Sequence, residues 1–389
     1  MDWRFYEIHD PEALAELADK TASLFLPPNA PTLDQQLPLL EADLVDPRTK
    51  PVVGILSDDQ RVLGVANVIL EPNRLNFMVG PLRLLSKRIM RFRMTCPPLF
   101  DAELPAAERS PQSERLLAGL LKWCPKADTL LLMGVDLTSP VMEAVRIGFA
   151  NPAAAHVLPI QHGKHQKHYL AVLQPTFKAF LASLGSSKRR DFERTLRRFD
   201  GLDHVTQLKV YSSPEESRQF FEDALSISRK TWQYNDRDAG LKDQDYFRTR
   251  YRVAAERGWF RGYILYMDGE PVTFREGYLY GDTYFSLQIG YDPAFSRYQV
   301  GVVLLLKTIE DLIENCGHVT HLDLGATETE IKRRISTEHF MDGYYYVFPR
   351  NAKGRIFSSV LRTVNGLTER LKKIQGRGVP LPKPSEARK

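Results

Sequence analysis

The chain has 389 residues, of which 43% are hydrophobic and 26% charged, and its formal net charge is +5. This length and composition predict a soluble globular protein of two or more domains. No apolar run approaches the roughly 20 residues that span a bilayer, and the first residues lack a secretory signal, so we expect a cytoplasmic protein without a transmembrane segment. Three scattered cysteines are too few for a disulfide framework or a zinc site, and we expect no metal.

The first 165 residues alternate short helices with strands. Apolar spacing predicts helices over 11–20, 37–45, 113–123 and 140–148, strands over 52–56, 62–70 and 129–135, and weaker strands over 75–79 and 94–100. The polar stretch 57–60 joins the first two strands as a hairpin. The order predicts an α+β domain over residues 1–165.

Three histidines, His162, His165 and His168, lie where this first half ends. One interpretation is a metal-binding cluster. Alternation along a strand would keep the three side chains from sharing one face, and neither a cysteine nor a carboxylate accompanies them. We therefore favour a strand or a crossover.

The second half repeats the order of helices, hairpin, helix and strand. Its pattern predicts helices over 175–184, 188–199, 214–232, 245–256 and 302–313, and strands over 259–267, 271–279, 283–289, 318–324 and 344–348. No direct sequence repeat accompanies the order, so a duplication is inferred from order alone. We assign residues 166–350 to a second α+β domain.

The predicted helix over 188–199 is strongly basic. Phe192, Leu196 and Phe199 form its apolar face, whereas Arg190 and Arg194 lie elsewhere on it. A solvated face is one interpretation. The other is a face that touches phosphates or an anionic substrate, for which Arg190 and Arg194 would be the binding residues.

A short loop, Arg297-Tyr298-Gln299-Val300-Gly301, delivers a glycine to the start of the helix over 302–313. Such a loop presents free backbone N–H groups and the positive end of the helix dipole. The loop is therefore predicted to bind a pyrophosphate.

The second half carries a series of short motifs in a fixed order: Leu184-Gly185-Ser186-Ser187-Lys188-Arg189-Arg190, Trp232, Gly269-Glu270-Pro271-Val272, Gly290-Tyr291-Asp292-Pro293, Gly301 and Leu322-Asp323-Leu324-Gly325 leading to Lys332. Together they resemble the CelD/BioF-type acetyltransferase domain of the GNAT superfamily, a group similar to the FemAB and leucyl/phenylalanyl aminoacyl-transferase enzymes. Three positions depart from the pattern. Tyr298 stands where the GNAT loop has Gln or Arg, Val303 where it has a small residue, and Ile331 where relatives have an aromatic.

The resemblance implies two tandem GNAT-like domains, each a mixed, mostly antiparallel sheet flanked by helices. The first would be degenerate and the second would hold the active site. An acyl group, acetyl from acetyl-CoA, would pass to an amine acceptor, either a small molecule or a lipid- or polysaccharide-linked amine. The loop from Arg297 to Gly301 would hold CoA, and the strands over 283–289 and 319–324 would splay apart to admit its pantetheine arm.

The resemblance also assigns roles near the end of the second domain. Asp323 and Glu328 are the candidates for the general base, with His321 behind them. Lys332 would stabilise an oxyanion or contact a carboxylate or phosphate. Trp232 would contact the substrate or simply pack.

The tail, residues 351–389, holds ten Lys or Arg against two Glu, so it is basic while the remaining chain is not. Apolar spacing predicts an amphipathic helix from Arg355 to Ile374 and a disordered end from Arg377. The helix would dock on the body of the protein, on an anionic membrane surface or on RNA.

Two alternatives to an acetyl-CoA-dependent enzyme follow from the same residues. In the first, the donor is an aminoacyl-tRNA, as the FemAB resemblance implies, and the basic helix and tail contact RNA phosphates. In the second, the fold is a catalytically inert scaffold that binds an envelope or polysaccharide precursor or a partner protein. The irregular glycine loop around Gly301 favours this second alternative.

Overall fold

A computed structural model describes residues 1–26, 29, 32–58, 61–150, 155–236 and 240–375. The chain divides into two compact units, residues 1–165 with residues 342 onward, and residues 166–341. The sequence analysis placed a boundary after 165 as well, but it assigned residues 342–350 to the second domain. Among the described helices none combines the length and the apolar character needed to cross a membrane. The end predicted to be disordered, residues 377–389, lies outside the described residues.

The strands and helices are numbered in chain order. The strands are β1 Asp2–Glu7, β2 Lys50–Ser57, β3 Val62–Val79, β4 Leu82–Met94, β5 Leu99–Phe100, β6 Thr129–Asp136, β7 Val157–Val172, β8 Thr206–Tyr211, β9 Gly262–Met267, β10 Glu270–Tyr280, β11 Thr283–Tyr291, β12 His321–Gly325 and β13 Glu338–Pro349. The α-helices are α1 Pro11–Thr21, α2 Glu41–Leu44, α3 Ala106–Trp123, α4 Pro140–Ala150, α5 Phe177–Ser183, α6 Ser186–Asp200, α7 Pro214–Ser228, α8 Trp232–Asp236, α9 Asp245–Glu256, α10 Val300–Asn315, α11 Glu330–Ile335 and α12 Ala352–Gln375.

The first unit is built on a mostly antiparallel sheet with the strand order β1-β2-β3-β4-β6-β13. Among the described strand pairs of this unit only β4–β6 is parallel, and β5 pairs with β3. The tail helix α12 packs on this sheet, since its Leu361 and Val364 are buried in one cluster with Phe77 and Phe348. Docking on the body, one of the three interpretations of the tail, is therefore what the structure shows.

A long hairpin in the first unit differs from the sequence prediction. The strand predicted to end at residue 70 continues to Val79, and β4, which was not predicted, pairs with it from Ile69↔Arg93 to Val79↔Leu82. Near its tip the hairpin exposes apolar and charged side chains without alternation. The period of two that identifies a half-buried strand is therefore absent there.

The second unit has the strand order β7-β12-β11-β10-β9-β8, and of its described strands only β11 and β12 run parallel. Helix α10 lies on one face of this sheet, and its Val303 and Leu306 are fully buried in one cluster with Tyr284 and Leu322. On the other face α7 packs against β10, where the rings of Phe220 and Phe274 are 6.4 Å apart. The predicted α+β class, with mostly antiparallel sheets flanked by helices, is confirmed.

Candidate functional site

The strands β11 and β12 pair over three residues only, from Thr283↔His321 to Phe285↔Asp323. Beyond Phe285, β11 also carries one extra residue relative to β10, because the register runs from Gly277↔Ser286 to Arg275↔Ile289. Such a bulge increases the local twist and re-aims side chains. The opening expected between these two strands thus lies beyond Phe285.

The loop before α10 ends in a left-handed residue, Gln299, with φ of 55°. The Gln299 carbonyl accepts hydrogen bonds from the amides of Val302 (2.9 Å) and Val303 (3.0 Å). Among the described residues the amides of Val300 and Gly301 have no backbone partner. The first turn of α10 therefore presents the free donors that an anion prefers.

A pocket of about 220 Å³ lies between this loop and helix α6. Its lining residues are Thr195, Arg198, Phe199, Leu202, Arg297, Tyr298 and Gln299. The Arg297 guanidinium lies 4.6 Å from the centre of the Tyr298 ring, and the Thr195 hydroxyl donates to Gln299 Oε1 at 3.3 Å. Arg297, Tyr298 and Gln299, three of the five residues predicted to bind CoA, thus line one pocket. Arg198, which the sequence analysis did not single out, lines it as well.

The two predicted substrate-binding arginines line a different, open groove of about 550 Å³. Its lining residues are Ser187, Lys188, Arg190, Asp191, Arg194, Glu330 and Arg334. Asp191 bonds to both Arg334 and Arg194, and these hydrogen bonds hold the pKa of its carboxyl below the usual range. Arg190, Arg194 and Arg198 follow one another at intervals of four, so they form one stripe on α6.

A histidine that the sequence analysis had weighed only as a metal ligand contacts the predicted general base. His168 Nε2 lies 2.7 Å from Asp323 Oδ1, which also accepts the Gly325 amide at 2.7 Å. The His168 ring stacks on Phe340, with centroids 4.4 Å apart and the planes inclined by 13°. A carboxylate that holds an imidazole in one orientation is a common device for proton transfer.

Lys332 is positioned by α11, a helix that the sequence analysis did not predict. The Thr329 hydroxyl caps this helix by accepting the Lys332 amide at 3.3 Å. Lys332 Nζ donates to the carbonyls of Ala326 (2.6 Å) and Gly325 (3.3 Å). Burial lowers the pKa of Lys332 to about 8, with a smaller lowering from the charge of Arg275, and the Asp323 carboxylate opposes both.

The other two catalytic candidates, His321 and Glu328, make their contacts with residues other than Asp323 and Lys332. His321 Nδ1 is 2.7 Å from the Thr320 hydroxyl and 3.4 Å from Asp282 Oδ2. Glu328 is exposed and pairs with Arg333 at 3.2 Å. Neither residue shares a hydrogen bond with Asp323, although alternation places His321 and Asp323 on one face of β12.

Trp232 begins the short helix α8 and is half-exposed. The residue two positions before it, Lys230, donates to Asp292 Oδ2 at 2.8 Å. Asp292 in turn caps the turn that leads to Arg297, accepting the Ala294 amide at 2.9 Å. The segment that carries Trp232 is therefore hydrogen-bonded to the turn that precedes the loop from Arg297 to Gly301.

The three neighbouring histidines have different partners. His165 Nε2 lies 2.6 Å from the Tyr345 hydroxyl, and the ring of His162 is 5.0 Å from that of Tyr346. In the described part of the chain, no group of three His, Cys, Asp or Glu side chains is arranged to hold a metal ion. These histidines all belong to β7, as the strand interpretation predicted.

A protein-family model matches part of the second unit. Residues 186–333, which include the pocket, Asp323 and Lys332, match the model of the acetyltransferase (GNAT) domain family. This segment therefore matches the GNAT domain family, and the resemblance to the GNAT superfamily seen in the sequence is confirmed. No curated protein sequence matches the chain.

Solved structures extend the likeness to most of the chain. FemX is 12% identical with a TM-score of 0.54 and covers 95% of this chain and 99% of its own. The C-terminal domain of a protein described as a lysylphosphatidylglycerol synthetase, from Agrobacterium fabrum, is 10% identical with a TM-score of 0.52, covering 90% and 96%. A conserved protein of unknown function from Bacteroides thetaiotaomicron is 13% identical with a TM-score of 0.52, covering 89% and 100%. At such identities the likeness is one of fold.

Proposed function

We propose that the protein is an N-acyltransferase that uses acetyl-CoA as donor and an amine as acceptor. One observation carries the proposal: a pocket lined by Arg198, Arg297 and Gln299 lies at the start of α10 in a GNAT domain. Two guanidinium groups and the free amides of that turn suit a diphosphate such as that of CoA. Because acyl-CoA is a cytoplasmic co-substrate, the proposal keeps the predicted location in the cytoplasm.

In this proposal the His168–Asp323 pair takes the proton of the attacking amine. Asp323 orients the imidazole and stabilises the cation that forms when His168 accepts a proton. Lys332 fixes the loop after β12 through two carbonyls, and its charge stabilises the oxyanion that develops on the acyl group. Glu328 and His321 contact other residues, so Asp323 and Lys332 are the proposed catalytic pair of the four candidates.

The acceptor remains the broad class that the sequence analysis gave, a small-molecule amine or one linked to a lipid or polysaccharide. A structural relative is described as a lysylphosphatidylglycerol synthetase, and FemX shares the fold across both units. A lipid-linked acceptor is compatible with the first of these names. Arg190, Arg194 and Trp232 stay the proposed substrate contacts.

Isothermal titration with acetyl-CoA tests the proposal. The double variant Arg198→Gln/Arg297→Gln is expected to weaken binding by about tenfold or more, since a charge-assisted hydrogen bond contributes roughly 1.5–3 kcal/mol. Arg218→Gln, an exposed arginine of α7 outside the pocket, is the matched control and should bind as the wild type does. Equal affinity of the double variant and the control would contradict the assignment of the pocket.

A second candidate function has its own observation. The stripe of Arg190, Arg194 and Arg198 covers about 12 Å of α6, from the open groove to the pocket, which is longer than a diphosphate requires. A nucleic-acid backbone would follow such a stripe, as expected for an aminoacyl-tRNA donor. Affinity for tRNA should then fall steeply with salt, and Arg190→Gln should flatten that dependence. Retained acetyl-CoA binding with no measurable tRNA binding would remove this candidate.

A further inference from the structure

Arg275 is a buried charge that the proposed chemistry does not use. It lies on β10 with 5% of its surface exposed, and its Nη1 donates to the Ser286 hydroxyl at 2.6 Å. Its Nε is buried without a hydrogen-bond partner. No carboxylate of the described residues pairs with it, and burial lowers the pKa of the guanidinium. Burying an unpaired cation is strongly unfavourable for folding, so a function is the expected reason for its presence here.

A second arginine, the partly buried Arg261 directly before β9, shows the contacts that a structural arginine makes. Arg261 Nε and Nη2 donate to Asp311 Oδ2 at 3.0 and 2.6 Å, and Nε also contacts the Tyr263 hydroxyl at 2.8 Å. Its charge is thus paired with a carboxylate. Arg275, by contrast, has a neutral hydroxyl as its acceptor.

The position of Arg275 connects it with the candidate site. Its register partner on β11 is Ile289, which is 49% exposed, so the sheet face that carries both residues opens to solvent there. Ser286, its acceptor, directly follows the last residue of β11 that pairs with β12. Its charge also acts on Lys332, whose pKa it helps to lower. Two cations therefore face the point at which the strands separate.

We propose that Arg275 binds an anionic group, a carboxylate or phosphate, that one of the substrates carries close to its reacting atoms. The inference rests on the proposed acyl transfer. Arg275 Nε and the hydrogen of the Ser286 hydroxyl would donate to the anion, and Lys332 would add charge. The anion belongs either to the acyl chain of the donor or to the acceptor.

Matched acyl-CoA probes test the donor. Succinyl-CoA and butyryl-CoA have acyl chains of equal carbon number, and the first adds a carboxylate. If the donor carries the anion, the wild type should bind succinyl-CoA at least tenfold more tightly, and Arg275→Met should lose that preference while it still binds butyryl-CoA. If the acceptor carries it, inorganic phosphate should bind to the acetyl-CoA complex of the wild type and not to that of Arg275→Met. Failure of both arms, with butyryl-CoA bound, would overturn the inference and leave the proposed function intact, whereas failure to bind any acyl-CoA would reject the proposed function.

The stability of the variants gives an independent readout. Arg275→Met removes an unpaired buried charge, so its unliganded thermal midpoint should equal or exceed that of the wild type. Arg275→Lys keeps a charge without the Nε donor and should bind the anionic probe with intermediate affinity. A midpoint that falls in both variants, with no change in anion preference, would show that Arg275 is structural.

A separate surface in the first unit carries a second inference. At the tip of the β3–β4 hairpin, Leu82, Leu84 and Leu85 are 62%, 55% and 56% exposed. The Thr368 hydroxyl of α12 accepts the Gly80 amide at 3.0 Å. This bond ties the hairpin tip to the end of α12, where Leu367 and Leu371 are also exposed. We call these five leucines and their basic neighbours the hairpin–tail surface.

The charges around these leucines are predominantly positive. Residues 72–90 contain four basic and no acidic residues, and residues 352–375 contain six basic residues and one acidic residue. The summed net charge of these two segments exceeds the net charge of +5 of the whole chain, so the rest of the chain has a negative net charge. Exposed leucines flanked by Lys and Arg are complementary to a membrane surface of anionic lipids.

The geometry points to the hairpin–tail surface as a docking site for an anionic lipid bilayer. In a sedimentation assay the full chain should bind vesicles of phosphatidylcholine with 30% phosphatidylglycerol and not vesicles of phosphatidylcholine alone. Leu82→Ser/Leu84→Ser/Leu85→Ser should weaken binding at least tenfold. The control Leu26→Ser/Ile147→Ser/Val205→Ser removes three exposed apolar side chains elsewhere and should bind as the wild type does. Equal loss in both triple variants, or binding to tRNA without binding to vesicles, would overturn the inference.

Discussion

Replacing Asp323 by asparagine is expected to lower the pKa of Lys332. Burial and the charge of Arg275 lower the pKa of Lys332, whereas the Asp323 carboxylate raises it. Together these effects place the pKa of Lys332 at about 8. Asparagine keeps the shape and can still accept the Gly325 amide, so the backbone should stay in place. Loss of a nearby opposite charge shifts a pKa by about one to three units. The Lys332 pKa in Asp323→Asn should therefore lie at least about one unit below its wild-type value.

Competitive labelling measures this pKa without knowledge of the acceptor. The protein is treated with trace acetic anhydride across pH 6–11, and mass spectrometry of the peptide that contains Lys332 gives the fraction labelled at each pH. Glu328→Gln is the matched control, because Glu328 lies in the same loop but pairs with Arg333. Its Lys332 should titrate as in the wild type. An unchanged Lys332 pKa in Asp323→Asn, or a wild-type value near 10.5, would refute the electrostatic account of the site.

Three further predictions follow from contacts in the second unit. Gly277→Ala should destabilise the fold by about 1–3 kcal/mol in chemical denaturation, because the new methyl would lie 2.1 Å from the buried Tyr284 ring. Gly301→Ala should change the unfolding free energy by less than about 0.5 kcal/mol, since its nearest neighbour would be a Tyr291 carbon at 3.8 Å. Lys332 has a folded pKa of about 8 against 10.5, so it binds fewer protons folded than unfolded in that interval, and its contribution to stability rises with pH there. Denaturation of Lys332→Met at pH 7.5 and pH 10 should show that this increment is lost.

The periodic parts of the fold follow from the sequence. The apolar run over 302–313 predicted a helix that is observed as α10, and the strands predicted over 259–267, 271–279 and 283–289 are observed as the meander of β9, β10 and β11. Local signals suffice there, because each element has its own period and its own turn residues.

The pairing of His168 with Asp323 could not be read in the same way. The two residues are 155 positions apart, and only the register of β7 against β12 brings them together. Arg275 was missed for a related reason, since a charged residue in an alternating strand indicates a solvent-facing position. Helix α11 had a usable signal in Thr329, which caps it, but the acidic residues around it resemble a loop.

A thermal-shift titration with acetyl-CoA tests the central claim most directly, with Gly301→Trp as the comparison. A ligand at about 100 times its Kd stabilises the native state by roughly 2.7 kcal/mol, which raises the midpoint measurably. The wild type should show a saturable rise of the midpoint. Without ligand, Gly301→Trp should unfold at the same temperature as the wild type. It should show no rise with acetyl-CoA, because the indole would block access to the free amides in the first turn of α10. A folded wild-type protein whose midpoint does not move with acetyl-CoA would contradict the acetyltransferase proposal and favour an aminoacyl-tRNA donor or a scaffold.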